Sequence, residues 1–582
     1  MATTDARPAR DETHHANGRH PPAQPPESSP RGRAEEPVKV TAKGAGRRIR
    51  GIAAVSESLD VRRRLRRLAR QVESGSRDAQ QMAFVEAAIG DCLDDVTTAP
   101  ARERWLLCEA ATWGLAWMAR SRRAGGSAGG LLERMVKLAR SAQAMLAGGD
   151  TSPAVFTLAL ARLFCDIEAC RCLERDAAAA LSAEIARLVS TGGVVCLTGS
   201  AAAIDRVSHW GAARDVANAT GGLPWDDDTE NALATAVAAT LPLLGDHGRM
   251  LAGAGRMPAA FSAPLLHAAR TSGHRRLSRT AKWLEGGGKG RGTGRRLLPR
   301  DLHDPAAAAA ILRSGWESGA VRVLVEYRGA VPRLEIAVGD RLLVTGPWQW
   351  RVSLAGRPLE ALGPWTLACY ESDRHASFLE IAAPLAGGMQ IERQVVMLPD
   401  DRIVLVADAV TRPAAAGSAT EQGALRLETV VPLAASLEGE AAEDTREVLV
   451  YDTKPRLLAL PLALPEWRSV GRGSLATAPD GLLLEHDATG SRCYSPLWMD
   501  LDASRQGLPL TWRQLTVADT RRNLPPHQAV GFRVQSGLEQ WLVYRSLDAT
   551  RNRTVLGCNL SSEFMLGRIG RTGVVKAAIE ID

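Results

Sequence analysis

The period of the hydrophobic pattern changes once along the chain, and that change limits the fold more than any other feature. Between about residues 56 and 270, apolar side chains recur every three to four residues. Leu59, Val61, Leu65 and Leu68 open the pattern, and residues 78–94, 100–120, 129–147, 153–173, 175–190 and 229–245 repeat it. Each of these segments is expected to be an amphipathic helix. Gly125-Gly126, Gly148-Gly149-Asp150, Thr191-Gly192-Gly193 and Gly221-Gly222-Leu223-Pro224 stand at the boundaries, and glycine and proline there end helices. Connections this short imply antiparallel helix pairs. After Gly286–Arg300 the period becomes two: Val321–Tyr327, Arg333–Val338, Arg341–Thr345, Ala376–Ala382, Met389–Met397, Arg402–Val410, Leu425–Val431 and Glu447–Tyr451 all read as strands. Strands at roughly ten-residue spacing indicate a large antiparallel sandwich. The expected class is therefore α+β and multidomain, a helical domain followed by a β-sandwich. The domains are a disordered tail over 1–50, helices over 51–285, a basic Gly-rich linker over 286–305, and the sandwich over 306–582.

Charge refines this picture. The net charge is +7, with 65 Arg against 7 Lys. Residues 1–50 hold ten basic and six acidic residues, and residues 273–300 hold nine basic residues against Glu285 alone. The remaining chain is mildly acidic. A nucleic-acid binder usually draws on Lys as well as Arg, so nucleic acid is not an expected partner; the basic linker leaves it as a third reading, and could equally guide another polyanion. No window of about 18 apolar residues is present, which argues against a membrane span. The N-terminal stretch lacks an apolar secretory segment, so a cytoplasmic location with reduced cysteines is expected. Cys165, Cys170 and Cys172 cluster without the paired spacing of a zinc site. They read as small core residues, and no metal or other cofactor is expected. Gly286–Gly294 lacks the Ser or Thr and the helix of a nucleotide loop.

Three segments carry a family likeness. Gly245-Asp-His-Gly-Arg-Met-Leu-Ala-Gly-Ala-Gly255, Ser272-Gly-His-Arg-Arg-Leu277 and the hairpin Glu392-Arg-Gln-Val-Val…Val-Ala-Asp408 resemble stretches of the heparinase II/III-like polysaccharide lyases. The likeness is detailed over about 205–432 and architectural elsewhere. It implies an incomplete α/α toroid followed by a β-sandwich, with an acidic polysaccharide or oligosaccharide bound in the cleft between them. Active members place His-x-His and a following Asp after an early β-domain strand. The matching stretch here, Tyr327-Arg-Gly-Ala-Val-Pro-Arg-Leu-Glu-Ile-Ala-Val338, has neither, and Pro332, Arg333 and Glu335 stand where the histidines would be sought. The implied site is degenerate.

Elimination from a uronic acid needs a group to neutralise the carboxylate, a base for the α-proton and an acid for the leaving oxygen. Tyr327, His209, His375 and Arg333 are the candidate catalytic residues. Asn218, His247, Trp210, Trp348 and Trp350 are candidates for holding substrate. Fourteen Trp against seven Phe suits stacking on sugar faces, and core packing explains the same count. Plainer roles stand beside each candidate: His209 as a loop or capping residue, His247 in a turn, Tyr327 as a packed aromatic, and Asp373-Arg-His375 as a solvated loop. Asp226-Asp227-Asp228 reads as a helix N-terminus. Two functions remain open: a lyase using Tyr327 or a nearby histidine as acid or base, and a non-catalytic binding or interaction protein on a lyase scaffold. Convergence of His209, His247, Tyr327, Arg333 and His375 in one cleft is what the enzyme reading requires.

Overall fold

A computed structural model describes residues 40–120, 126–252, 255–256, 259–288, 297–412, 423–468, 471–520 and 522–582. Twelve α-helices lie among them: α1 (Ala42–Val55), α2 (Leu59–Glu73), α3 (Ala79–Asp94), α4 (Ala101–Ala119), α5 (Gly126–Ala147), α6 (Ala154–Leu163), α7 (Glu168–Arg171), α8 (Leu173–Leu188), α9 (Ser200–Ala219), α10 (Asp227–Thr240), α11 (Ala263–Thr271) and α12 (Arg275–Glu285). Side-chain caps start several of them. Ser58 accepts from the Val61 N–H, Asp78 from Gln81 at 2.7 Å, and Asp226 from Thr229 at 2.9 Å, each satisfying an amide that has no partner in its own helix. The acidic triplet at 226–228 is thus a helix start.

A row runs α1, α4, α6, α9, α11, each packed on the next. All ten residues of α6 are buried, and so are most of those in α4. α1 corrects the expected tail. Thr41 caps it through Gly44, and Ala45, Ile49, Ile52 and Ala53 are buried. Arg48 reaches from α1 to Glu109 on α4 (2.8 Å) and to the Ala212 carbonyl on α9 (3.2 Å). Residues 40–50 therefore belong to the helical half, while the rest of the expected tail lies outside the described residues.

Among the described residues the β half is entirely antiparallel; its main body has three layers, and a small four-stranded sheet packs outside the third through Val517, Val555 and Leu560. The middle layer is an eight-stranded sheet in the order Thr366–Ser372, Ser377–Leu385, Met389–Leu398, Ile403–Thr411, Cys493–Asp500, Pro455–Pro461, Val448–Tyr451, Glu438–Ala441. Alternate residues face opposite cores. Val395, Met397, Val404 and Val406 join one, and Val396, Leu398, Ile403 and Leu405 join the other. Both faces are covered, so these strands read as continuous apolar runs. The second core is closed by a five-stranded sheet that includes Ala529–Ser536 and Glu539–Ser546, through Phe532, Val534, Trp541 and Val543. The first core is closed by a sheet centred on Ala424–Val431 and by the first sheet of the β half.

That first sheet runs Leu302–Asp304, Ala309–Arg313, Val321–Glu326, Arg333–Val338, Arg341–Pro347. Its period-two pattern serves two partners. Ala310, Leu312, Val323 and Val325 face the β core, whereas Ile311 and Leu324 enter the helical core. Two buried arginines add polar links. Arg313 donates to the carbonyls of Pro242 (2.8 Å) and Leu244 (2.9 Å), and Arg322 to Leu243. The expected linker is ordered at both ends. Leu297 is buried, the Leu298 N–H bonds Thr280 Oγ1 at 3.1 Å, and strand structure begins at Leu302. Residues 289–296 lie outside the described residues. No helix among the described residues is long and apolar enough to cross a membrane.

Candidate functional site at the seam of the helices and the first sheet

The strand Val321–Glu326 and the residues after it bring most of the chemistry to the seam. Glu326 and Glu335, which lies opposite Leu324 on the adjacent strand, both reach the start of α9. Glu326 accepts from the Gly199 N–H (3.0 Å) and Glu335 from the Ser200 N–H (3.3 Å). Gly199 sits at φ 84°, in the left-handed region that glycine tolerates. Two carboxylates thus meet the positive end of a 20-residue helix. Arg333 lies 3.6 Å from Glu326. Burial pushes Glu326 up to about 7, against the pull of the Gly199 N–H and of Arg333 and Arg328, and Glu335 adds to the rise.

Tyr327 is 3% exposed. Its hydroxyl is hydrogen-bonded to His303 Nε2 at 2.8 Å, and the two rings are nearly parallel. His303 also stacks on Tyr370, with centroids 4.9 Å apart. His303 is half-buried, so it is the accessible member of the pair. Burial holds its pKa below the usual 6.5, only partly offset by Asp304, and burial raises Tyr327. A neutral imidazole on a neutral phenol can pass a proton at physiological pH. Asp304 fixes the strand's end by accepting from the amides of Ala306 (3.0 Å) and Ala307 (3.2 Å) and from the Ser190 hydroxyl.

The other candidates do not join this pair. His209 lies inside α9, not in a loop, and its Nε2 meets the Thr151 carbonyl at 2.9 Å. Burial, with Arg206 nearby, lowers its pKa. Trp210 is fully buried, donating to Glu184 at 2.7 Å. Asn218 is exposed near the far end of α9, eighteen positions beyond Ser200. His247 occupies a left-handed turn position (φ 56°) with its ring against Gly287. His375 is bonded to Arg374 in the loop after Thr366–Ser372, its N–H on Asp373 Oδ1. Trp348 is buried beneath the Arg393 guanidinium at 3.8 Å, and half-buried Trp350 meets Trp365 edge-on. The five groups whose convergence elimination requires are therefore dispersed. Arg333 meets Glu326 at the seam, Tyr327 is packed in the β core on the other face of the first sheet, and His209, His247 and His375 lie elsewhere. Sequence reading missed His303, which stands in the stretch read as linker. Its one local signal was the alternation of Leu302, His303 and Asp304 beside the strand Ala309–Arg313.

The likeness motifs are structural here. Arg393 and Asp408 form a buried bidentate pair (2.7 and 3.0 Å) that Thr429 completes. Asp246 accepts from Ser318 Oγ (2.7 Å) and the Gly319 N–H (3.0 Å), tying the helical half to the first sheet. No group of three or more metal-ligating side chains suited to an ion occurs among the described residues.

No protein-family model matches the chain, and no curated protein matches it. Solved structures do. A heparinase III gene product is 10% identical and superposes with a TM-score of 0.57, covering 88% of this chain and 93% of its own. A structure of heparinase III is 11% identical with a TM-score of 0.54, covering 83% and 82%. A mutant of the heparan sulfate lyase HepC from Pedobacter heparinus is 13% identical with a TM-score of 0.52, covering 87% and 90%. The chain has a heparinase-like fold, with the helical toroid and β-sandwich that the sequence motifs implied.

Proposed function

We propose that this chain recognises an acidic polysaccharide, as a binding protein on a lyase scaffold. The fold supports the ligand class, because the matching structures are heparin and heparan sulfate lyases. One observation carries the binding-only reading. The segment where the family's histidines are sought turns Glu335 onto the start of α9, beside Glu326 of the preceding strand, and pairs Arg333 with Glu326. With carboxylates in that place and Arg333 engaged, nothing there neutralises a uronate where elimination would need it. The test is incubation of the full chain with heparin, heparan sulfate, chondroitin sulfate and alginate. Salt-sensitive retention on one or more of these polymers is expected, with no growth of the ultraviolet absorbance of a 4,5-unsaturated product. Accumulation of that product rejects the binding-only reading.

A second reading rests on the 2.8 Å contact of Tyr327 with His303. If elimination occurs, His303 is the group that reaches substrate and buried Tyr327 positions it and relays the proton. Tyr327→Phe then lowers kcat at least tenfold and shifts the pH profile through His303, with little change in KM. Unchanged turnover rejects that assignment.

A further inference from the structure

The solvent face of α2 carries a stripe of charge far from the chemistry of the first sheet in sequence. Arg63, Arg66, Arg67 and Arg70 are exposed and recur at i, i+3, i+4 and i+7, so they share one side of the helix over about 10 Å. The opposite side, Val61, Leu65, Leu68, Ala69 and Val72, is buried. Arg63 meets Asp60 at 3.5 Å, with side chains 78% and 81% exposed, and a pair so open to water adds little. Arg66, Arg67 and Arg70 make no ion pair among the described residues. Residues 42–73, which span α1 and α2, hold ten basic and three acidic side chains. Of those acids, Glu57 and Glu73 are already paired with Arg102 and Arg50.

The helix that carries this stripe is firmly seated. It packs on α1, α3 and α4. A Cβ on Gly46 of α1 would lie 3.1 Å from the Ala69 carbonyl oxygen, so the two backbones run close together. Gln81 of α3 donates to the Gln71 carbonyl at 2.7 Å. α3 turns a stripe of its own to solvent at the same spacing, Gln80, Ala83, Phe84 and Ala87, and that stripe is uncharged. Among the described residues of the helical half, the large apolar side chains left exposed are Leu59 and Phe84, at 63% and 52%. Leu59 opens α2 four residues before Arg63, at the end of the arginine stripe. Both exposed apolar side chains therefore belong to the α2–α3 pair.

The two chemistries together select the partner. Four guanidinium groups attract any polyanion. A nucleic-acid backbone would use them alone and leave Leu59, Phe84 and the uncharged stripe in water. An anionic bilayer surface uses both, since headgroup phosphates accept from arginine and exposed apolar side chains enter the acyl boundary. We propose that the α2–α3 face docks this protein on an anionic phospholipid bilayer, as a peripheral contact that does not span it. The face is built from the first helices of the chain and not from the seam, so the inference stands apart from the polysaccharide reading.

The test sediments the full-length protein with vesicles of phosphatidylcholine alone and with vesicles of equal parts phosphatidylcholine and phosphatidylglycerol. Binding to the anionic vesicles is expected to be about tenfold or more the stronger, and to fall as salt rises. Arg63→Gln, Arg66→Gln, Arg67→Gln and Arg70→Gln combined in one chain should weaken it by about tenfold or more. The same four positions changed to Lys should retain it. Phe84→Ser should weaken it by about fivefold, the scale of one partly inserted apolar side chain, and leave the salt dependence as it was. All five exchanged residues are exposed, so each variant is expected to melt with the parent. Equal sedimentation with both vesicles, sedimentation with neither, or binding unmoved in the glutamine variant or in Phe84→Ser overturns the proposal. Binding of duplex DNA that the glutamine variant loses, with no binding to anionic vesicles, also overturns it and gives the face to nucleic acid.

Discussion

Two buried glutamates set how the protein responds to pH. Burial pushes Glu326 up to about 7, and it does the same to Glu380, which sits with Glu392 and Glu563 around the fully buried Arg545 (2.9, 2.5 and 2.9 Å). Each folded value lies above the 4.5 of a free glutamate, so the folded chain binds protons more tightly than the unfolded one. Their contribution is complete below about pH 4.5 and is lost as pH rises through 7. Each glutamate is expected to cost about 2 kcal/mol at most between pH 5 and pH 8, so Glu326→Gln and Glu380→Gln should each gain in melting temperature relative to the unsubstituted chain as pH rises. Paired melting curves across that window check it; a difference between variant and parent that does not change with pH rejects it. The Arg393–Asp408 pair is a different case, with both side chains fully buried. Asp408→Ala leaves a buried guanidinium without its partner and should destabilise by about 3–5 kcal/mol in urea titration. The sequence showed this pair only as part of a motif, because its chemistry depends on burial between two sheets. Likewise Tyr327 was legible as a candidate, but its partner was not. His303 lies 24 positions earlier, and the two meet only because Ala309–Arg313 pairs with the strands on both sides of it.

Helices were legible where one face is apolar and hidden where burial is nearly all-round. α9 was missing from the expected helices, although it carries Ser200, His209 and Trp210 and follows directly on Gly199. Its buried residues include Ser200, Ala203, Ser208, Gly211, Ala213 and Ala217, small side chains that give no apolar stripe while letting neighbours come close. A Cβ on Gly211 would lie 2.9 Å from the Pro264 carbonyl oxygen of α11. The expected helix over 153–173 is broken after Leu163, where Phe164 leaves helical geometry and short α7 follows. By contrast, α10 announced itself through its acidic start. Asp226→Ala removes that cap and should cost about 1 kcal/mol, seen as a lower urea midpoint with an unchanged slope; no shift would show that Asp227 and Asp228 suffice.

The change of period at the linker divides the sequence, yet the folded molecule has no matching division. The first sheet gives Ile311 and Leu324 to the helical core and Val323 and Val325 to the β core, and Trp316 enters the helical core with them. A helical fragment ending at residue 300 lacks these residues and is expected to bind hydrophobic dye and self-associate. The whole chain should melt in one calorimetric transition, and two resolved transitions would show that the halves are independent. Sandwich and helical half were each legible from local periodicity. The three-layer stacking was not, since a strand covered on both faces reads the same whichever sheets cover it. A sheet gripped on both sides is a fixed beam rather than a hinge: it cannot swing toward one partner without tearing contacts from the other, so exchanging side chains on its surface changes what it presents without changing its position.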